Sequence, residues 1–157
     1  MTLRVSLSPE AWNLDDAPNS VLSHEDAIGR VQWMLANHAA NAPGRLVHLC
    51  LAILWCETGR IIGWCGLDQR DASQAHPVLF YLLQAAHWGQ GPATEAARAV
   101  LDYAFGELAL IRVDAAAAAD NAASVRVLEK IGMRRLGRDE EGGHAFSLTR
   151  DEFLRMR

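Results

Sequence analysis

Residues 46 to 67 constrain the fold more than any other stretch. Two β-rich runs flank Thr58-Gly59, and each is apolar on alternate and intervening positions alike. With Thr58-Gly59 as a two-residue turn, Cys56 faces Ile61 and Ile53 faces Trp64. Leu51, Ile53, Trp55, Ile62 and Trp64 then share one face, and Ala52, Leu54, Ile61 and Leu67 the other. A hairpin that is apolar on both faces needs cover on both sides. That points to an α/β or α+β domain and away from a solvated meander.

The remaining segments supply strands and cover. Leu3, Val5 and Leu7 alternate as a short first strand, and residues 8–22 read as loop. Ser23, with Asp26 three residues on, caps a helix whose apolar face is Ala27, Ile28, Val31, Met34 and Leu35. Pro43-Gly44 stops it. Val78 to Leu83 is a further strand. The helix after it buries Ala93, Ala96, Ala97, Val100, Leu101, Ala104 and Phe105. Leu110 to Val113 reads as strand, and the run Ala115 to Ala119 favours helix by propensity. Asp120 or Asn121 caps a helix from Ala122 to Ile131, which Gly132 ends. Met133–Arg138 and His144–Thr149 form a last hairpin about Gly142-Gly143.

The 157 residues fit one domain over 1–157. Fifteen Lys and Arg stand against 19 Asp and Glu, a net charge of −4, which excludes a nucleic-acid binder driven by phosphate contacts. The longest apolar stretch, Leu46 to Cys56, is interrupted by His48 and too short to span a bilayer. The first ten residues lack a signal-peptide core, so a cytoplasmic location is expected. Cys50, Cys56 and Cys65 form no C-x-x-C pair and are expected to be small buried hydrophobes. The histidines His24, His38, His48, His87 and His144 have no metal-ligand spacing, so no metal is expected.

The strongest chemical signal is strand, then Gly89-Gln90-Gly91, then helix. Glycines allow a sharp turn and close approach to a ligand. A helix start offers unpaired N–H groups and partial positive charge, an anion site suited to a pyrophosphate. There is no Lys-Ser/Thr after a second glycine and no third glycine, so neither the P-loop nor the dinucleotide fingerprint fits. A plain tight turn would use the same residues.

Here the sequence resembles a family. Trp88-Gly89-Gln90-Gly91-Pro92-Ala93-Thr94-Glu95-Ala96-Ala97-Arg98 is similar to the acyl-CoA pyrophosphate loop of the GNAT N-acetyltransferases, in the RimJ/RimL-like branch that includes the ribosomal-protein-alanine N-acetyltransferases. Asp120 to Met133 resembles its N-x-x-S-x-R-V-L-E-K-x-G-F segment. Glu57 to Leu67 is similar to its central hairpin, and Ser147 to Phe153 to its closing strand and turn. The likeness runs from about residue 46 to the end, with three motifs in family order.

The resemblance implies a mixed, mostly antiparallel central sheet, splayed in the middle, with helices on both faces. It implies acetyl-CoA as cosubstrate and a primary amine as acceptor, a protein N-terminus or a small molecule, joined by direct attack in a ternary complex. Leu83 would bond pantetheine through its backbone. Gly89, Gln90, Gly91, Ala93 and Thr94 would give N–H groups to the pyrophosphate, while Pro92 has none to give. Trp88 replaces the Arg or Gln of many relatives. Asn121 would bond the CoA arm and Ser124 would lie near the thioester sulfur. Neither nucleic acid nor membrane is an expected partner, and a homodimer is compatible with the resemblance.

Two of the family's usual groups are missing. The carboxylate position on the fourth strand is Val78, and no Asp or Glu occurs between Asp71 and Glu95. His76, on the same strand face as Val78, is the candidate base or relay beside water. The tyrosine position seven residues after Asn121 is Leu128, which leaves Ser124 as the candidate acid, with Tyr81 and Tyr103 as other hydroxyls. These losses motivate the alternative of an acyl-CoA-binding sensor or interaction module with little turnover. Trp55 and Trp64 could line an acceptor groove or pack in the core. Trp12 and Trp33 are further acceptor candidates.

Overall fold

The computed structural model describes residues 4–6, 24–69, 75–139 and 141–157. Among these residues seven strands and four α-helices follow one another: β1 (Arg4–Ser6), α1 (His24–Ala39), β2 (Leu49–Trp55), β3 (Arg60–Asp68), β4 (Val78–Leu83), α2 (Pro92–Gly106), β5 (Arg112–Ala117), α3 (Ala122–Lys130), β6 (Arg134–Arg138), β7 (His144–Thr149) and α4 (Arg150–Arg155). The strands form one sheet in the order β1-β2-β3-β4-β5-β7-β6. Every neighbouring pair is antiparallel except β4 and β5. This is the mixed, mostly antiparallel sheet expected. Leu3, Leu7, the loop of 8–22, Trp12 and the Ser23 cap lie outside the described residues.

The central hairpin forms, but in a different register. Residues 56–59 make a four-residue connection, with Gly59 at φ 65°. Trp55 pairs with Arg60 and Leu54 with Ile61; a bulge then shifts the ladder, so that Ile53 meets Gly63 and Ala52 meets Trp64. One glycine at positive φ closes the longer turn, and the bulge inserts Ile62 as an extra residue. Trp55 therefore shares a face with Ile53, and Trp64 with Ala52, so the two tryptophans do not line one groove. Cys56 sits exposed in the turn, unlike the buried Cys50 and Cys65.

The main core lies under α2. Val100, Leu101, Ala104 and Phe105 of that helix pack with Leu67, Leu79, Val113, Leu128, Phe146 and Leu148. The expected stripe of α2 holds, with Pro92 buried at its head in place of the half-buried Ala93. Ala115 and Ala117 join the core as strand residues opposite Phe146 and His144. Tertiary pairing with β7 thus overrides the helix propensity of the alanine run.

Helix α1 packs on β2 through a narrower stripe than its sequence suggests. Met34 is buried, whereas Ile28 and Leu35 are 43 % and 47 % exposed. It ends at Ala39, before Pro43-Gly44. The Asn41 carboxamide organises the exit: its Oδ1 accepts from Val47 and His48 N–H, and its Nδ2 donates to the His48 carbonyl. Helix α4 follows β7 directly. Thr149 Oγ1 accepts from Glu152 N–H, and the Glu152 carboxylate accepts from Thr149 N–H. Thr149-x-x-Glu152 is a capping box that the sequence already carried.

Glycine at position 63 is required by close strand approach. A Cβ there would collide with the Leu82 carbonyl and crowd Leu83 Cα at 3.0 Å. Backbone atoms cannot swing aside as a side chain would. Gly63→Ala is expected to cost about 1–3 kcal/mol as overpacking, a fall in melting temperature of several degrees for a chain of this size. Thermal unfolding of the two proteins measures it.

Candidate functional site

The sheet is split at its middle. Strands β4 and β5 share a single pairing, Val78 with Asp114, and Asp114 N–H donates to the Pro77 carbonyl at 2.9 Å. Beyond that point β4 has a partner only on the β3 side. Gln84 N–H donates to the Ile62 carbonyl, so alternation puts Leu82 among the residues bonded to β3. Tyr81 and Leu83 therefore turn their N–H and C=O groups towards the gap.

A cleft of about 480 Å³ fills that gap. Tyr81, Leu82 and Leu83 form one wall; the cap residue Asn121, with Ser124, Arg126, Val127 and Lys130 on α3, forms the other. Trp88, Gly89, Gly91, Ala93 and Thr94 close the end beyond β4. Gly91 caps α2 in the left-handed region at φ 101°, and Gly89 stands at φ 73°. A Cβ at either glycine would meet nothing within 4 Å, so it is the turn itself, and space for an incoming group, that favours glycine here. The first helical bond runs from Glu95 N–H to the Gly91 carbonyl at 3.1 Å. Helix geometry leaves the N–H groups of Ala93 and Thr94 without partners inside α2, facing the cleft with the positive end of the helix dipole. Pro92, lacking an N–H, fits the first helical position.

The opposite wall is fixed by a cap. Asn121 Oδ1 accepts from Ser124 N–H at 3.0 Å and starts α3. Tyr81 Oη donates to the Ser124 carbonyl at 3.1 Å, a bond that crosses the gap from β4 to α3. Burial pushes the Tyr81 phenol above its ordinary pKa; the Ser124 side chain pulls the other way and Cys65 adds to the rise. Burial also pushes the Cys65 thiol, opposite Tyr81 on β3, far up. Trp88, 63 % exposed, donates its indole N–H to the Leu83 carbonyl at 2.8 Å.

Of the residues singled out from sequence, Leu83, Trp88, Gly89, Gly91, Ala93, Thr94, Asn121 and Ser124 line this one cleft. Gln90 lies in the same loop, but its side chain donates to the Ala86 carbonyl. His76 precedes β4 at the closed end of the split and does not line the cleft. Leu128 is buried in the core at 1 % exposure. Sequence reasoning gave too little weight to Tyr81, although its place two residues before Leu83 on the same strand face signalled it. It missed Arg126 and Lys130, one helical turn apart at the cleft wall. Among the described residues no group of three or more His, Cys, Asp and Glu could hold a metal ion, and no helix is long and apolar enough to cross a membrane.

Comparison with known proteins agrees with this geometry. Residues 4–134 match the model of the acetyltransferase (GNAT) domain. The chain belongs to the GNAT family. It is 50 % identical over 120 residues to the uncharacterized N-acetyltransferase YnaD of Bacillus subtilis (strain 168), covering 76 % of this chain and 65 % of that protein. The chain spans about half the length of several other Bacillus relatives, 45 % of YkkB for example. Its fold is shared with the ribosomal-protein-S5-alanine acetyltransferase of Vibrio fischeri, with a TM-score of 0.70 at 19 % identity over 86 % of this chain and 79 % of that one. It is shared also with the aminoglycoside acetyltransferase AAC(6')-Ib solved with coenzyme A, with a TM-score of 0.60 at 19 % identity over 83 % and 80 %.

The Asn121 cap holds the α3 wall in place. Asn121→Ala is expected to cost about 1 kcal/mol, seen as a fall of a few degrees in melting temperature. Asn121→Asp, which keeps the acceptor, should hold most of the stability.

Proposed function

We propose that the chain transfers an acetyl group from acetyl-CoA to a primary amine, with the cosubstrate lying in the split between β4 and β5. The observation that carries this reading is continuity. The edge of β4 that turns from β3 at Tyr81 and Leu83, where the Leu83 carbonyl takes the Trp88 indole, leads into the two-glycine start of α2. A pantetheine arm carries amides that an open strand edge can bond, and its pyrophosphate suits the N–H groups at Gly89, Gln90, Gly91, Ala93 and Thr94. Asn121 spends Oδ1 on its cap and keeps its Nδ2 donors for the CoA arm. The Ser124 hydroxyl faces the thioester end. AAC(6')-Ib, which shares the fold, was solved with coenzyme A and supports the choice of ligand.

Acetyl transfer requires a neutral amine, and among the described residues the cleft lining contains no Asp or Glu. Deprotonation then passes through water, with His76 as the nearest imidazole to Val78 along the chain. Such a site favours amines that are neutral without help. At pH 7.5 an α-amino group with pKa 7.7–8.0 is about a third neutral, while a lysine amine near 10.4 is about 0.1 % neutral. The acceptor proposed is therefore an α-amino group, on a peptide N-terminus or a small molecule. The same lack of a carboxylate favours a second reading, an acyl-CoA-binding module with little turnover. Turnover of acetyl-CoA with a panel of amines separates the two. The enzyme reading expects α-amines to lead in kcat/KM, and a lysine ε-amine or polyamine that outruns every α-amine would overturn the acceptor assignment.

The anion site has its own test in Thr94, the third residue of α2. Asp at this place complements the helix dipole and is expected to hold or raise stability, by about 0.3–1 kcal/mol. The same carboxylate opposes a pyrophosphate at close range, so Thr94→Asp should weaken acetyl-CoA binding by more than about tenfold. Thr94→Asn is the neutral control. Calorimetry that finds equal affinity in all three proteins would remove the coenzyme from this loop.

A further inference from the structure

We propose that the Trp88 indole is a latch: in the ligand-free protein it occupies the place of a pantetheine amide, and it yields that place only to a coenzyme that carries the arm. The inference rests on the acetyl-CoA reading and goes beyond it by naming what holds the strand edge until the coenzyme arrives. Trp88 donates its indole N–H to the Leu83 carbonyl at 2.8 Å, from five positions further along the chain. Both residues line the cleft.

Leu83 turns both its N–H and its C=O towards the gap, by the alternation that gives Leu82 and Gln84 to β3. A ligand arm laid along β4 as a further strand exchanges both bonds with that one residue. The indole has taken the oxygen half of the exchange. A carbonyl oxygen can take a second bond, yet the ring that delivers the first lies in the track of the arm, since Trp88 and Leu83 line the same cleft. Indole and arm therefore compete. A nucleotide diphosphate without an arm reaches the start of α2 and leaves the latch closed.

The indole is held so that it can leave. A single 3-10 turn over Ala85–His87 leads from β4 to Trp88, whose backbone N–H donates to the Ala85 carbonyl at 3.1 Å. The backbone is thus fixed without help from the side chain. Trp88 is 63 % exposed, so a rotation of the side chain carries its N–H from the carbonyl to water with little loss of buried surface. The arm's amide then takes over the oxygen, and no backbone group is orphaned. The neighbours are engaged elsewhere: the His87 ring rests against Trp55 with centroids 5.1 Å apart, and the Gln90 side chain donates to the Ala86 carbonyl at 2.9 Å. A site that stands open for only a fraction of the time binds more weakly by that fraction. The net worth of one neutral hydrogen bond sets the factor at about two- to tenfold. In return, the latch covers a carbonyl on an open strand edge that another chain would otherwise pair with.

The test is Trp88→Phe, which keeps a ring on a side chain already in solvent and removes the N–H. Two probes are titrated into both proteins by calorimetry: acetyl-CoA, and 3′-phospho-ADP, which is the coenzyme without its arm. The variant should bind acetyl-CoA about two- to tenfold more tightly and 3′-phospho-ADP with unchanged affinity. Tryptophan emission gives a second readout. The wild-type minus variant spectrum isolates Trp88 from the other tryptophans. It should move to longer wavelength with acetyl-CoA, as the indole passes to water, and stay in place with 3′-phospho-ADP. Wild-type protein that does not bind acetyl-CoA would end the acetyl-CoA reading and this inference with it. Wild-type protein that binds it, with equal or weaker binding in Trp88→Phe, would overturn the latch alone and leave the indole a fixed strut or a contact of the coenzyme. A difference spectrum that acetyl-CoA leaves unmoved would overturn it too, as would an equal gain in affinity for both probes.

Discussion

The site depends on one ladder that stops. A buried strand edge without partners is costly, because each unpaired N–H or C=O forfeits a bond it had in water. Strand β4 joins β5 through Val78 and Asp114 alone, and the backbone at Tyr81 and Leu83 is left to other acceptors and donors. Trp88 meets one of these groups through its indole. The rest are open to water or to a ligand that brings its own amides. The fold tolerates the break because the core beneath is continuous: α2 packs across β3 and β4, and α3 packs on β5, so the halves are held from one face while the edges part.

Local chemistry was legible in the sequence where one segment carried the whole instruction. Gly89, Gly91 and Pro92 fix a turn and a helix start within four residues. Asn121 and Gly132 bracket α3 as cap and stop. The family resemblance rested on those same segments, and the family model confirms it. What escaped the sequence required knowledge of partners. The bulge between Ile53 and Leu54 is invisible in a run apolar on both faces, because such a run scores equally well in either register. The strand state of Ala115–Ala117 is set by β7, not by alanine. Ile28 and Leu35 match the periodicity of α1, yet stay exposed among the described residues.

The cleft illustrates the same division. Eight of the residues chosen from sequence line it, seven of them within two motifs of adjacent residues and Leu83 at the end of β4. Tyr81 meets Ser124 across 43 positions, and no spacing rule foretells that contact. His76 shows the converse. It stands in a bend before β4, outside the strand's alternation, where the sheet is closed and the cleft has ended. A periodic pattern orders residues along a strand and says nothing about where the neighbouring strand parts from it.

At the far end of the sheet, β6 is an outermost strand with five exposed residues, three of them arginines. Each arginine is tethered: Arg134 to Glu152, Arg135 over the Phe146 ring, and Arg138 to the Gly142 carbonyl. A row of fixed cations along an open edge repels an identical edge brought alongside it. This opposition of like charges blunts the sheet at the side farthest from β1, although its backbone there has hydrogen bonds to offer.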